Sequence, residues 1–164
     1  MTDDHPAPYA LGPEEGEALW GADGSLWTLK ASAQKTGGPF SLIEEVGRLG
    51  EGTPLHRHAE DDEAFYVLEG EMTFYFEDGL PVPATAGSFV NIPAGAAHAF
   101  RVDSGTARYL ILTTAQHESF YRAMSEPARS RTQPPEAPMD MEKVMAAAEK
   151  YKVEMLGPPP GASA

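Results

Sequence analysis

His56, His58 and Glu63, in the stretch GEGTPLHRHAEDDEAFYVLEG, have the residue types and spacing of a metal site. Side chains at i and i+2 of an extended strand point to one face, so both imidazoles can address a single ion if the backbone there is a strand. A helix would splay them. Pro54 argues against helix at this point, because it lacks an N–H and biases its predecessor towards extended geometry. Phe65 and Val67 share the parity of Glu63, which predicts that the carboxylate and two apolar groups face inward together. By itself, a His-x-His pair beside the acidic run Glu60-Asp61-Asp62-Glu63 is more often a solvated surface.

A second stretch, GSFVNIPAGAAHAFRV, changes the balance. Gly87 precedes a strand-like run over 89–92, Pro93-Ala94-Gly95 forms a turn, and His98 begins a new extended segment with Phe100 and Val102 on its face. A separate strand thereby offers a third histidine. The chain has no cysteine, so any ion is held by nitrogen and oxygen alone. Three imidazoles and one carboxylate suit a divalent transition metal, one of Mn, Fe, Ni, Co or Zn. An octahedral ion would keep about two positions open for a substrate oxygen and for O₂ or water. By strand parity, Phe65, Val67, Phe100 and Val102 are the expected substrate-contacting walls, making an apolar, partly aromatic pocket. Arg57 and Arg101 have the opposite parity and are expected outside, so a small dianion lacks its usual partner. The direction of Arg48 is not set by the pattern.

The two stretches resemble the paired motifs of the cupin superfamily. The first motif falls on Gly50, His56, His58, Glu63 and Gly70 without a departure. The second falls on Gly87, Pro93, Gly95 and His98, with Val102 where the family has Asn. Asp62 sits at an alternative spacing that the family allows, but only Glu63 lies six residues before Gly70. The resemblance implies an antiparallel jelly-roll barrel, all-β with C-terminal helices, and a metal held by His56, His58, Glu63 and His98. Within the superfamily the chain is most similar to small single-domain proteins resembling quercetin 2,3-dioxygenase, through GEALW, TGGPFSLIEE, the two motifs and the tail EKYKVEMLGPPP. That likeness implies O₂-dependent cleavage of a flavonol-like or other enolic aromatic substrate, with Glu63 also accepting the substrate hydroxyl proton. Two alternatives stay open: a non-redox metal-dependent isomerase or cyclase, and a non-catalytic small-molecule-binding cupin. Cupins are commonly dimers, so a homodimer is expected.

Several elements must position these residues. With 164 residues and no internal repeat, the chain is expected to form one domain: an N-terminal arm over 1–23, a barrel over 24–115 and a helical extension over 116–164. Runs at 26–31, 40–46, 72–76 and 108–113 are β-compatible, and Asp78-Gly79 is a strong hairpin signal. With the motif strands the count is seven or eight, and no helix interrupts them. Glu44 and Glu45 are adjacent on the second run, so one can face inward, although a charged edge or an ion pair with Lys or Arg is the expectation. A helix is predicted over 116–125 and another after an Asp140 N-cap, with Met141, Val144, Met145, Ala148 and Tyr151 at helical spacing. Its methionines are either ordinary packing or a lid. His5 and His117 read as surface residues.

The net charge is −13, from 25 acidic and 12 basic residues, which disfavours a nucleic-acid partner. The start MTDDHPAPYALGPEEGE has neither the basic start nor the apolar core of a signal peptide, and no apolar run approaches a membrane span. A cytoplasmic protein with a small-molecule substrate is the expectation.

Overall fold

The computed structural model describes residues 6–158. His5 lies outside them. Strands β1 (Glu17–Gly21), β2 (Leu26–Ala31), β3 (Ser41–Arg48), β4 (Leu55–His58), β5 (Glu63–Glu69) and β6 (Glu71–Phe76) come first. They are followed by β7 (Val82–Thr85), β8 (Phe89–Ile92), β9 (His98–Val102), β10 (Thr106–Thr113), β11 (Ser125–Pro127) and β12 (Val153–Gly157). Three helices accompany them: α1 (Ala33–Thr36), α2 (Ala115–Ala123) and α3 (Met141–Tyr151). One sheet runs β11-β1-β2-β3-β10-β5-β8 and the other β12-β4-β9-β6-β7, with every named pairing antiparallel. This is the jelly roll that the motifs imply.

Alternation along the strands explains how the two sheets close on a common interior. Along β3 the buried positions are Ser41, Ile43, Glu45 and Gly47; along β5 they are Glu63, Phe65 and Val67. His56 and His58 are the two buried positions of β4. Phe65, Phe74, Phe100 and Tyr109 fill the centre with mostly edge-on contacts, at ring separations of 5.1 Å for Phe65–Phe74, 5.4 Å for Phe65–Phe100 and 5.6 Å for Phe100–Tyr109. Gly70 alone joins β5 to β6. Its φ of 87° suits a residue without Cβ, and an added Cβ would lie 2.5 Å from the Thr106 carbonyl oxygen.

Four expectations are corrected. The N-terminal arm contains a strand, β1, which pairs with β2. The segment after 116 is not purely helical, because β11 pairs with β1 and β12 pairs with β4, the strand that carries His56 and His58. Short strands of three and five residues give too few positions for a period-2 pattern to be read from sequence. A single helical turn, α1, capped by Ser32, stands between β2 and β3 where only a turn was expected. Twelve strands form among the described residues, more than the seven or eight anticipated.

α2 and α3 pack against each other, and residues of both line one cavity. Thr114 caps α2 by accepting from the His117 amide, and Asp140 caps α3 as the sequence predicts, accepting from the Lys143 amide. On α3 the buried residues are Val144, Ala147 and Ala148, whereas Met141 and Met145 are exposed. The helix therefore packs on a narrower stripe than its periodicity suggests, and its methionines form no lid. No helix among the described residues is long and apolar enough to cross a membrane.

Candidate metal centre

Cross-strand pairing brings the three motif histidines together. His56 on β4 is paired directly with His98 on β9, and His58 lies two residues further along β4 on the same face. Ring centroids are 4.3 Å apart for His56–His98 and 5.0 Å for His58–His98. All three rings are buried.

The backbone fixes which nitrogen each ring presents. Nδ1 of His56 donates to the Pro54 carbonyl at 2.8 Å, Nδ1 of His58 to the Asp61 carbonyl at 2.7 Å, and Nδ1 of His98 to the Ala96 carbonyl at 2.9 Å. A carbonyl only accepts, so Nδ1 carries the proton in each neutral ring and Nε2 is left as a lone pair. Burial, followed by the neighbouring His98, pushes His56 down to about 3 and keeps its imidazole neutral. Nε2 of His58 is buried without a hydrogen-bond partner. A buried polar atom left alone costs stability unless something fills its valence. An orphaned imidazole lone pair among others of its kind has the chemistry of a metal donor.

Glu63 enters from β5 in the opposite sheet. Its Oε2 lies 3.2 Å from His98 Nε2 and 3.4 Å from His58 Nε2, and the side chain is buried. Burial acts to raise its pKa, but the surrounding rings of His117, His58 and His98 outweigh that effect and hold it well below the ordinary carboxylate value. Burial lowers His58, but the Glu63 carboxylate beside it outweighs that effect and raises it on balance. Asp62 is not in the cluster: its carboxylate accepts from the Ala94 amide at 2.9 Å. The acidic run is not a solvated face either. Asp61 is buried and accepts from Thr114 and Gln116, tying the loop after β4 to the start of α2.

His117, expected at the surface, is 2% exposed. Its ring lies 4.2 Å from that of His58, and its Nε2 is 3.5 Å from Glu63 Oε1. The same oxygen accepts a hydrogen bond from Tyr121, one helical turn later, at 2.8 Å. Two overlapping donor sets result, His56/His58/His98 and His58/Glu63/His117, each with its ligand atoms within 4.8 Å of one another. A readable signal for His117 existed: Phe120, Tyr121 and Met124 follow at three, four and seven residues, so it belongs to the buried face of α2.

A cavity opens onto the cluster. His56, Glu63, His98 and His117 line it at one side, and much of the remaining wall is Trp27, Phe100, Phe120, Met124, Met139 and Met155. Of the four expected wall residues only Phe100 lines it. Phe65, Val67 and Val102 share the inward face but lie in the packed core, where they are at most 1% exposed. Parity gives the face of a sheet, not the depth within the barrel. Arg57 and Arg101 point outward as expected, pairing with Glu154 and Asp103. Arg48 pairs with Glu51 and donates to the Pro134 carbonyl.

The cupin domain model matches residues 48–113, the span from the end of β3 through β10 that holds both motifs. This is a cupin domain. Over 125 residues the chain is 32% identical to quercetin 2,3-dioxygenase of Bacillus subtilis (strain 168), a match that takes in 76% of this chain. The chain spans 36% of that relative's length. Among solved structures, the polyketide cyclase RemF of Streptomyces resistomycificus aligns over 86% of this chain and 99% of its own, with TM-score 0.59 and 21% identity. A sugar phosphate isomerase from Silicibacter pomeroyi aligns over 65% of this chain and 75% of its own, with TM-score 0.57 and 22% identity. At those identities the two structures show the fold. The cupin thus contains His and Glu groups suited to a metal and resembles a quercetin dioxygenase.

Proposed function

We propose that this chain is a metal-dependent dioxygenase acting on a flavonol-like or other enolic aromatic compound. His56, His58, Glu63 and His98 would hold one divalent transition ion, from among Mn, Fe, Ni, Co and Zn, in each subunit. The observation that carries the reading is the orphaned Nε2 of His58 within a cluster of Nε2-presenting imidazoles and one ionised carboxylate, at the side of an apolar cavity. The identity with quercetin 2,3-dioxygenase supports the substrate class.

When bound, the metal would supply Lewis acidity and an electronic path between an enolate and O₂. The protein's own groups do the rest. Tyr121 donates to Glu63 Oε1 and holds the carboxylate in place, which leaves Oε2 as the atom that takes the enol proton. The Trp27, Phe100 and Phe120 side chains bind the aromatic body and exclude water. The Nδ1 bonds to Pro54, Asp61 and Ala96 fix ring orientation, so the ligand lone pairs are preorganised before substrate arrives.

The proposal takes residues 1–164 as one domain and the working form as a homodimer. Tyr66, Phe89 and Leu112 are exposed on the outer face of adjacent strands β8, β5 and β10, an apolar patch that a second copy would cover.

The test is O₂ uptake during quercetin turnover, aerobic against anaerobic, after reconstitution with each of the five metals and metal analysis. Ring cleavage with stoichiometric O₂ consumption is the expected result. Conversion of an enol without O₂ uptake would move the reading to isomerase or cyclase, and retention of unchanged ligand to a binding protein.

A further inference from the structure

The same cavity has a second polar set that the metal chemistry does not use. Trp27 on β2, Glu45 on β3 and Tyr109 on β10 are directly paired across the sheet, forming one inward row that continues to Val67 on β5. Glu63 lies four residues before Val67 on β5, so the row is displaced from the metal centre by roughly 13 Å along the strands. Tyr109 donates to Glu45 Oε1 at 2.6 Å. Asp23 joins the row from the turn after β1. Its Oδ1 and the Trp27 ring both come within 2.5 Å of the point where a Cβ on Gly21 would sit, so only glycine leaves room for them side by side. Asp23, Trp27 and Glu45 all line the cavity.

Two features mark this row as more than packing. Trp27 is 2% exposed, yet its Nε1–H has no hydrogen-bond partner. Buried indole N–H groups usually find one, and a donor left alone beside a cavity is a site for an incoming acceptor. Glu45 is 1% exposed with no basic side chain among its neighbours in the row. Burial raises both carboxyls, and the charge of Asp23 raises Glu45 further.

We propose that Trp27, Asp23 and Glu45 form a second binding subsite, which takes a phenolic hydroxyl on the end of the substrate remote from the metal centre and rejects carboxylate or phosphate there. The phenol O–H donates to a carboxyl oxygen of Asp23 or Glu45, and its oxygen accepts from Trp27 Nε1–H. An anionic group could satisfy the indole but would give up its hydration beside two acidic side chains with no cation to offset its charge. The Tyr121 ring stands between the two ends: it meets Trp27 edge-on at 4.9 Å while its hydroxyl holds Glu63. The subsite rests on the dioxygenase reading for what it implies about substrate, namely an elongated aromatic compound with an enol at one end and a phenol at the other.

The test uses small probes and needs no turnover. The two tryptophans give two indole N–H resonances in ¹⁵N-labelled full-length protein, and Trp20, whose Nε1 donates to the Thr132 carbonyl, is assigned through Trp20→Phe. Under argon, 4-ethylphenol, its methyl ether and 4-ethylbenzoate are titrated in turn. The phenol should shift the Trp27 resonance with a Kd about tenfold below that of the ether, the value of one good hydrogen bond. The benzoate should give no saturable shift in wild-type protein and a saturable one in Asp23→Asn/Glu45→Gln, whose amides can donate to it. Equal affinities for the three probes, a phenol that binds without moving Trp27, or benzoate exclusion that persists in the double variant would each overturn the subsite. Quercetin that consumes no O₂ while the probes rank as expected would instead overturn the dioxygenase reading and leave the subsite standing.

Discussion

The chemistry of single residues sets the clearest expectations. His58→Ala should lose bound metal almost completely, since it removes the donor common to both sets, and His98→Ala should weaken metal binding. Metal content by elemental analysis checks this, and stoichiometric metal in a His56→Ala/His98→Ala protein would move the ion to the His58, Glu63 and His117 set. Tyr121→Phe is a finer probe. It removes the hydrogen bond to Glu63 Oε1 while keeping the ring against Trp27, so metal should remain and turnover should fall about 10- to 100-fold, with KM changed less than kcat. The clustering of His56, His58, Glu63 and His98 was legible, because His-x-His with a later carboxylate and a distant His is a spacing that extended strands turn into a cluster. His117 and Tyr121 were not legible as part of it. Nothing in the sequence says that the helix after β10 packs its His117 and Tyr121 against Glu63. Glu45 was misjudged for a related reason: strand carboxylates are usually solvated, and only the pairing of Glu45 with Tyr109 across β3 and β10 shows this one turned inward.

At the scale of elements, α2 matters because it brings two side chains to the metal centre, and Glu118 is the residue that anchors it. Its carboxylate accepts from the Ala33 amide at 2.8 Å, from the Ser41 hydroxyl, and from Arg122 at 2.9 Å; Arg122 in turn grips Glu17 of β1 through two bonds. Burial raises the Glu118 pKa, but these donors outweigh it and leave it below the ordinary carboxylate value. A carboxyl whose folded pKa is depressed adds stability above its unfolded pKa and loses it as pH falls through the folded one. Glu118→Gln should therefore lower Tm at neutral pH, by the equivalent of about 1–3 kcal/mol. The gap from wild type should narrow as the pH drops from about 6 to 3. Thermal melts of both proteins across that range test it, and a gap that widened in acid would contradict the assignment. α3 was legible in its cap and length. β12 was not, although it holds Val153 opposite His58 and Met155 opposite His56. Only tertiary pairing with β4 makes a strand of it.

For the whole molecule, an antiparallel sandwich or barrel followed from alternation and turn residues over the central strands and the jelly roll from the motif resemblance, whereas sheet order and the closing strands β1, β11 and β12 depend on long-range pairing that no local pattern encodes. The remaining question at this scale is what covers the apolar outer face. Tyr66 and Phe89 are cross-strand partners on β5 and β8, 45% and 64% exposed, with Leu112 beside them at 45%. β8 is also the end strand of its sheet, so its outer edge is free to meet another copy. Against this attraction stands a charge of −13 on every chain, which repels a second copy until salt screens it. The two effects predict a dimer that strengthens with ionic strength: at about 0.3 M NaCl, where the screening length falls to roughly 6 Å, light scattering should give twice the chain mass, with more monomer at about 0.01 M. Phe89→Asp should shift the protein to monomer at both salts, because it puts another negative charge into the patch and removes its most exposed ring. If the variant kept the dimer mass, the contact would have to lie on another face; if wild type dissociated as salt rose, charge pairing and not apolar burial would hold the copies together.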